Sequence, residues 1–173
     1  MKTILTILTL AVTLYSEPRR IFGWELGAPW SGPATFLSNQ GIDVKVITTP
    51  PFMQGYLMTG SIIAVPLVKT TGIQVYQGKI FSLEFALNDP TEDTFDTVAE
   101  TLRGQFSNVM KEEYIYASKS LMVGGKMGTR DVVVSLEWSR LDRTLDMRYI
   151  DYEIGTNVQA EVKKARRAKT QGM

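Results

Sequence analysis

Two residue types that many enzyme active sites use are missing from this chain of 173 residues, which contains no cysteine and no histidine. Without cysteine there are no disulfides and no thiolate metal sites. Without histidine the commonest metal ligand and the commonest proton shuttle near neutral pH are lost. These absences exclude Ser-His-Asp, Cys-His and zinc-water chemistry. We therefore expect a protein that is not an enzyme and that needs no cofactor or metal.

Acidic and basic residues nearly balance over the whole chain, with a net charge of +1, but they are unevenly distributed. Between Glu17 and Glu161, 13 Lys/Arg stand against 18 Asp/Glu, a net of −5. After Glu161 there is no acid, and the remaining charges are all basic: Lys163, Lys164, Arg166, Arg167 and Lys169. Clustered cations attract phosphates, and no aromatic residue interleaves with them. We expect weak contact with a membrane surface and no nucleic-acid partner.

The N-terminal stretch 1–16 has the pattern of a secretory signal. Lys2 precedes an apolar run of 13 residues from Thr3 to Tyr15, which is short for a membrane span, and Ser16 is a small residue suited to cleavage. The pattern predicts a secreted or periplasmic protein. The alternative is a chain anchored by an uncleaved N-terminal segment.

The stretch from Thr71 to Phe106 carries the strongest structural pattern. Alternating apolar residues on both sides of Gln77-Gly78 predict a β-hairpin with one buried face. Asp89-Pro90-Thr91-Glu92 then resembles a helix start, with Asp89 as N-cap. The helix that follows has one apolar face, made of Phe95, Val98, Ala99, Leu102 and Phe106.

The other segments with clear patterns are mostly strands. Alternation predicts strands over 43–49, 56–65, 113–117, 119–123, 131–138 and 144–154, while Gly124 to Gly128 predicts a flexible turn. Ser31 and Gly41 flank a short helix over about 33–40, and Thr156 with Gln159 has the spacing of a capping box.

Together these patterns predict a two-layer α+β fold. An antiparallel sheet of about six to eight strands has one main helix (about 90–107) and the short helix (about 33–40) packed on one face. Residues 17–156 form a single domain in this interpretation. Residues 157–173 form a basic C-terminal tail or a frayed helix.

Four residues near two loops rich in proline and glycine are the best candidates for binding a partner: Trp30, Phe52, Met53 and Tyr56. Exposed aromatic residues bury much area at small entropic cost. We expect an exported binding or accessory protein that acts on a protein or envelope partner. The alternatives are a small carrier of an apolar ligand and a membrane-anchored surface protein. Glu25, Glu84, Glu137 and Asp151 are the carboxylates that a glycosidase would use, but isolated acids on a wet sheet face are far commoner.

Overall fold

The computed structural model describes residues 20–21, 24–30, 43–48, 53–59 and 68–171. The signal-like stretch 1–16, the predicted short helix 33–40 and Phe52 lie outside these residues. Within them, no helix is long and apolar enough to cross a membrane.

Eight of the described strands form one antiparallel sheet. Of the two helices that the structure describes, one connects two of these strands and the other follows the last strand. The strands of the sheet are β3 (Asp43–Thr48), β4 (Met53–Thr59), β5 (Val68–Tyr76), β6 (Lys79–Leu87), β7 (Asn108–Ile115), β8 (Ser118–Met127), β9 (Arg130–Ser139) and β10 (Thr144–Asp151). Their order is β3-β4-β5-β6-β10-β9-β8-β7. A separate pair is made by β1 (Arg20–Ile21) and β2 (Trp24–Glu25). The helices are α1 (Glu92–Gln105) and α2 (Tyr152–Gln171). The predicted α+β class is confirmed.

The hairpin of β5 and β6 is the part of the sheet that local sequence specifies best. Its turn residues Gln77 and Gly78 have φ of 48° and 73°, the positive values that a two-residue type I′ turn requires at both positions. Ile73, Leu83 and Phe85 are fully buried on one face. The predicted hairpin is confirmed, and Leu83, Phe85 and Leu87 share its buried face as the alternation predicts, but Phe81, which the same alternation puts with them, lies on the other face.

Helix α1 covers that face, as its apolar pattern predicted. Phe95, Val98, Ala99 and Leu102 are all buried within the main core. Burial of a side chain such as Phe95 contributes about 2 kcal/mol. The main helix predicted over about 90–107 is therefore present and packed on the sheet.

The predicted N-cap of α1 is wrong. Thr91 caps the helix, because its hydroxyl accepts the Thr94 N–H at 3.2 Å. Asp89 instead accepts a hydrogen bond from the Thr94 hydroxyl at 3.1 Å. The Pro90 carbonyl accepts the Trp138 indole N–H at 2.8 Å, which keeps Pro90 outside the helix and moves the helix start toward the C-terminus.

The flexible turn predicted over Gly124 to Gly128 is also wrong. Gly124 and Gly125 lie inside β8, and the turn is at Gly128, which has a φ of 61°. A Cβ at Gly125 would stand 2.9 Å from the Phe106 ring. The glycine therefore provides space for an aromatic side chain that leaves α1, which the sequence pattern of the turn does not reveal.

A β-bulge in β6 splits the apolar residues between two cores. The register shifts between Gln74 and Val75, so that Ile80 joins the core under α1 whereas Phe81 joins a second, smaller cluster. That second cluster holds Tyr76, Phe81 and Val158, with Ile150, Ile154 and Val162 packed against it. The first half of α2 thus lies against the opposite face of the sheet from α1.

Helix α2 begins earlier than the capping-box spacing predicted. The Asp151 carboxylate accepts the Ile154 N–H at 3.0 Å, which places the N-cap at Asp151 rather than Thr156. Gly155 lies against β10, because a Cβ there would stand 2.8 Å from the Ile150 side chain. The stretch 157–173, assigned above to a tail or frayed helix, continues α2 as far as Gln171.

Candidate binding surface

The four predicted binding residues fall in the least described part of the chain. Trp30 is half-buried, its ring centroid lies 5.5 Å from that of Trp24, and it packs against the main core. Its backbone N–H donates to the Gly78 carbonyl at 2.7 Å, which fixes it to the hairpin turn. The backbones of Met53 and Tyr56 belong to β4. Whether Trp30, Phe52, Met53 and Tyr56 form one surface stays a prediction.

Most of the exposed large hydrophobic side chains among the described residues lie elsewhere, at the end of the sheet formed by β7. All eight residues of β7 are exposed. Among the described residues, six of the seven exposed large hydrophobic side chains lie on β7 or on the turns beside it, and we call these six the edge surface: Val109, Met110, Tyr114, Ile115, Tyr116 and Leu141. The seventh is Tyr152.

The exposure of β7 follows from its place in the sheet. It is the terminal strand, so one side pairs with β8 and the other side has no neighbouring strand in the described sheet. Such an edge leaves a row of backbone N–H and C=O groups available for another strand. A bulge between Val109 and Lys111 bends the strand near its beginning. The free length therefore runs mainly from Lys111 to Ile115.

Charged groups occupy the middle of β7 and pair locally. Glu112 accepts hydrogen bonds from the Arg103 guanidinium of α1 and from the Tyr114 hydroxyl. The bond from Tyr114, followed by that from Arg103, lowers the pKa of Glu112. The same bond raises the pKa of Tyr114. At neutral pH the cluster therefore holds an ionised carboxylate and a protonated phenol.

The side of β7 opposite Glu112 carries a second ion pair. Lys111 Nζ lies 2.9 Å from Glu113 Oε2, and both side chains are about half exposed. Alternation along a strand places Lys111, Glu113 and Ile115 on one face and Glu112 with Tyr114 on the other. The strand therefore presents a charged centre between apolar ends, formed by Val109 and Met110 at one end and by Ile115 and Tyr116 at the other.

An open groove of about 720 Å³ adjoins the end of β7. It runs between the β7–β8 turn and the β9–β10 turn, and apolar side chains of Ile115, Tyr116, Trp138 and Leu141 line it together with polar groups. The groove extends the edge surface around the end of the sheet, toward the side that α1 does not cover.

Lys119 fixes the start of β8 beneath this surface. Its Nζ lies 2.8 Å from Glu92 Oε1 and 2.8 Å from Asp96 Oδ1, and it stands over the rings of Phe95 and Tyr114 at 5.7 and 5.4 Å. Desolvation acts to lower the pKa of Lys119, but the hydrogen bonds to Asp96 and Glu92 outweigh it and raise that pKa. The ammonium group thus connects α1 to the sheet through ion pairs.

Two of the four carboxylates that the sequence singled out lie on the face of the sheet away from α1. Glu84 and Glu137 lie there with Asp146, while Asp151 is buried at the start of α2. Asp146 lies directly across from Glu137, and Glu84 pairs with Arg148 at 2.9 Å. Burial first, and then the charges of Glu84 and Glu137, raise the pKa of Asp146. Among the described residues, no group of three or more acids is arranged to hold a metal ion.

The sequence pattern missed most of the edge surface. It predicted a strand only from Glu113, because Asn108 to Glu112 shows no clean alternation. The sequence feature that could have indicated this surface is the series Tyr114, Ile115 and Tyr116 beside charged residues, which puts both apolar and charged side chains on each face of the strand.

Comparisons of the chain with protein families, with curated proteins and with solved structures find no match.

Proposed function

We propose that this is a non-enzymatic binding or accessory protein, exported from the cytoplasm, that captures an extended segment of a protein partner along β7. The observation that carries the proposal is the edge surface, in which six exposed hydrophobic side chains lie on a terminal strand or on the turns near it. Exposed apolar side chains that gather in one part of the surface mark interaction sites in soluble proteins. Export is supported by the signal-like pattern of residues 1–16.

The mode of binding follows from the backbone of β7. A partner segment in extended conformation adds as a ninth strand, and its main-chain groups pair with those of residues 111–115. Side chains then give specificity, because alternate residues of the added strand meet alternate residues of β7. The matching segment has a charged centre that pairs with Lys111, Glu112 and Glu113, and apolar residues at both ends.

Pairing of two copies of this chain along β7 meets like charges at its centre. A two-fold antiparallel pairing centred on Glu112 places that carboxylate directly opposite its own copy, although each Lys111 then lies opposite Glu113 of the other copy. Like charges in that position are destabilising. The bulge near Val109 and the exposed Lys111 are also features that protect edge strands from aggregation. A different protein is therefore the better partner.

The test is affinity capture from a detergent extract of the source cell envelope. The edge variant Val109→Lys/Ile115→Lys puts two cations on the strand at positions that are 46% and 65% exposed, so the fold is retained. The control Tyr152→Lys puts one cation in place of a large hydrophobic side chain that is 54% exposed on α2. We expect the edge variant to lose about tenfold or more of a protein that the wild type and the control both capture.

Hydrogen exchange locates the contact independently. In the complex, the amides of residues 111–115 gain protection if the partner adds a strand there. Equal capture by wild type and edge variant, or protection that leaves β7 unchanged, contradicts the proposal. A wild-type dimer in sedimentation that the edge variant abolishes contradicts it as well, because a second copy then occupies the edge.

A further inference from the structure

Helix α2 packs through its first half only. Ile154, Val158 and Val162 contact the second core, and the Tyr76 hydroxyl donates to Glu161 Oε1 at 2.8 Å. At about 100° per residue these three apolar residues form a narrow stripe on one side of the helix. Every side chain that the structure describes after Val162 is exposed.

The exposed half of α2 carries a basic face that points away from the sheet. Lys163, Lys164, Arg166 and Arg167 fall within an arc of about 160°, centred roughly opposite the stripe of Ile154, Val158 and Val162. Residues 163–171 extend about 13 Å beyond Val162 along the helix axis. This exceeds the screening distance of about 8 Å at physiological salt, so the net charge of the body is largely screened from the far end of α2.

Helix stability does not account for this arrangement. Lys163 with Arg166, Lys163 with Arg167, and Lys164 with Arg167 are like-charge pairs three or four residues apart, which weaken a helix. Cations in the last turn interact favourably with the helix dipole, but Lys163 and Lys164 lie well before that turn. Glu161, the last acid of the chain, is engaged by Tyr76. An external anionic group would relieve this repulsion.

We propose that the basic face of residues 163–167 binds the surface of an anionic phospholipid bilayer. The contact is electrostatic and does not insert, because the cations have no apolar face beside them: Val162 is the last large apolar residue of the helix. A flat basic face suits a planar array of phosphates. No aromatic residue follows Tyr152, so the side chains that stack on single-stranded bases are absent from this helix.

The inference is independent of partner capture by β7 but compatible with it. The apolar run from Thr3 to Tyr15 predicts that the chain passes through a membrane during export, so a phospholipid surface is at hand. Helix α2 contacts β6, β10 and β9, so contact of its exposed half with a membrane would leave β7, the terminal strand, accessible to a protein partner.

The test uses the full chain and vesicles made either of phosphatidylcholine with phosphatidylglycerol or of phosphatidylcholine alone. The helix variant is Lys163→Gln/Lys164→Gln/Arg166→Gln/Arg167→Gln. A control with the same loss of charge is Lys69→Gln/Lys79→Gln/Lys126→Gln/Arg140→Gln, at four exposed sites of the body. Glutamine is a good helix former, so the helix variant keeps α2.

We expect wild type and control to bind the anionic vesicles with similar affinity, and the helix variant to bind at least about tenfold more weakly. High salt should abolish the difference. Binding that is equal for wild type and helix variant, or equal on both kinds of vesicle, overturns the proposal. So does tighter binding to a DNA duplex than to anionic vesicles at the same salt.

The outcome separates this inference from the function proposed above. The edge variant Val109→Lys/Ile115→Lys should bind anionic vesicles at least as well as the wild type, since it leaves α2 intact. The helix variant should still capture the protein partner in a detergent extract, where no bilayer is present.

Discussion

Arg130 and Asp151 form an ion pair that joins three separate segments of the chain. Nη1 of Arg130 lies 2.6 Å from Oδ2 of Asp151, whose side chain is almost fully buried. The other carboxylate oxygen caps α2. The guanidinium also lies directly against Gly27, whose N–H donates to the Ile80 carbonyl at 2.6 Å. The N-terminal segment, the start of β9 and the start of α2 therefore meet at this ion pair.

Substitution of Asp151 separates its two roles. Asp151→Asn keeps an N-cap side chain but removes the charge that neutralises Arg130, and we expect a loss of about 2 kcal/mol in the free energy of unfolding, since Arg130 is partly exposed. Asp151→Ala also removes the cap and should cost about 1 kcal/mol more. Urea unfolding measures both. Asp131→Asn, which weakens an exposed pair with Lys126, is the control and should change stability by less than about 0.5 kcal/mol.

Alanine at two glycines with positive φ should give unequal losses. Gly78, with a φ of 73°, has open space where a Cβ would stand, so Gly78→Ala costs only the backbone strain of about 1 kcal/mol. Gly27, with a φ of 78°, has the Arg130 guanidinium in that position. Gly27→Ala must also displace the ion pair, and we expect about 3 kcal/mol by thermal or urea unfolding. Equal losses would show that Arg130 moves freely.

Removal of the Asp146 charge should stabilise the protein at neutral pH. Its pKa is raised in the folded state, so the folded protein binds the proton more tightly than the unfolded chain does. Stability from this group is then greatest at acid pH and falls as pH rises through the folded pKa. Asp146→Asn should gain about 0.5 kcal/mol at pH 7, and the gain should vanish below the normal carboxylate range. Unfolding curves at several pH values check the sign.

Replacement of Lys119 should loosen α1 from the sheet. Lys119→Met keeps the stem that packs beneath Tyr114 and Phe95 but loses the contacts with Glu92 and Asp96, and we expect a cost of about 1 kcal/mol. Because the folded pKa of Lys119 is raised, its contribution persists through neutral pH and is lost as pH rises through that pKa. Lys111→Met, at an exposed pair on β7, is the matched control and should be nearly neutral.

The parts of the fold that were predictable are those in which local sequence and tertiary packing agree. The hairpin around Gln77-Gly78 and the apolar face of α1 are set by turn chemistry and by periodicity within a few residues. The N-cap at Thr91 was missed because the Pro90 carbonyl bonds Trp138, which lies 48 residues away in sequence. Gly125 was assigned to a turn because only the folded structure brings Phe106 over it.

The candidate site was harder to predict for a related reason. The exposure of β7 depends on the order of the strands in the sheet. The sequence pattern from Asn108 to Ile115 does not indicate that this strand lies at the edge. The basic cluster after Glu161 was visible in the sequence. The basic cluster points away from the sheet because Val158, on the other side of the helix, packs against Phe81. The short apolar pattern of α2 does not predict that contact.

The bulge in β6 affects the packing beneath both helices. Consecutive side chains, Ile80 and Phe81, enter opposite sides of the sheet, one beneath α1 and the other beneath α2. Without the extra residue Phe81, β6 would pair with β5 in plain alternation, Ile80 and Leu83 would keep their places beneath α1, and the second core would lose an aromatic ring. The bulge therefore supplies the small core beneath α2 with an aromatic side chain and leaves Leu83 and Phe85 on the face that α1 covers.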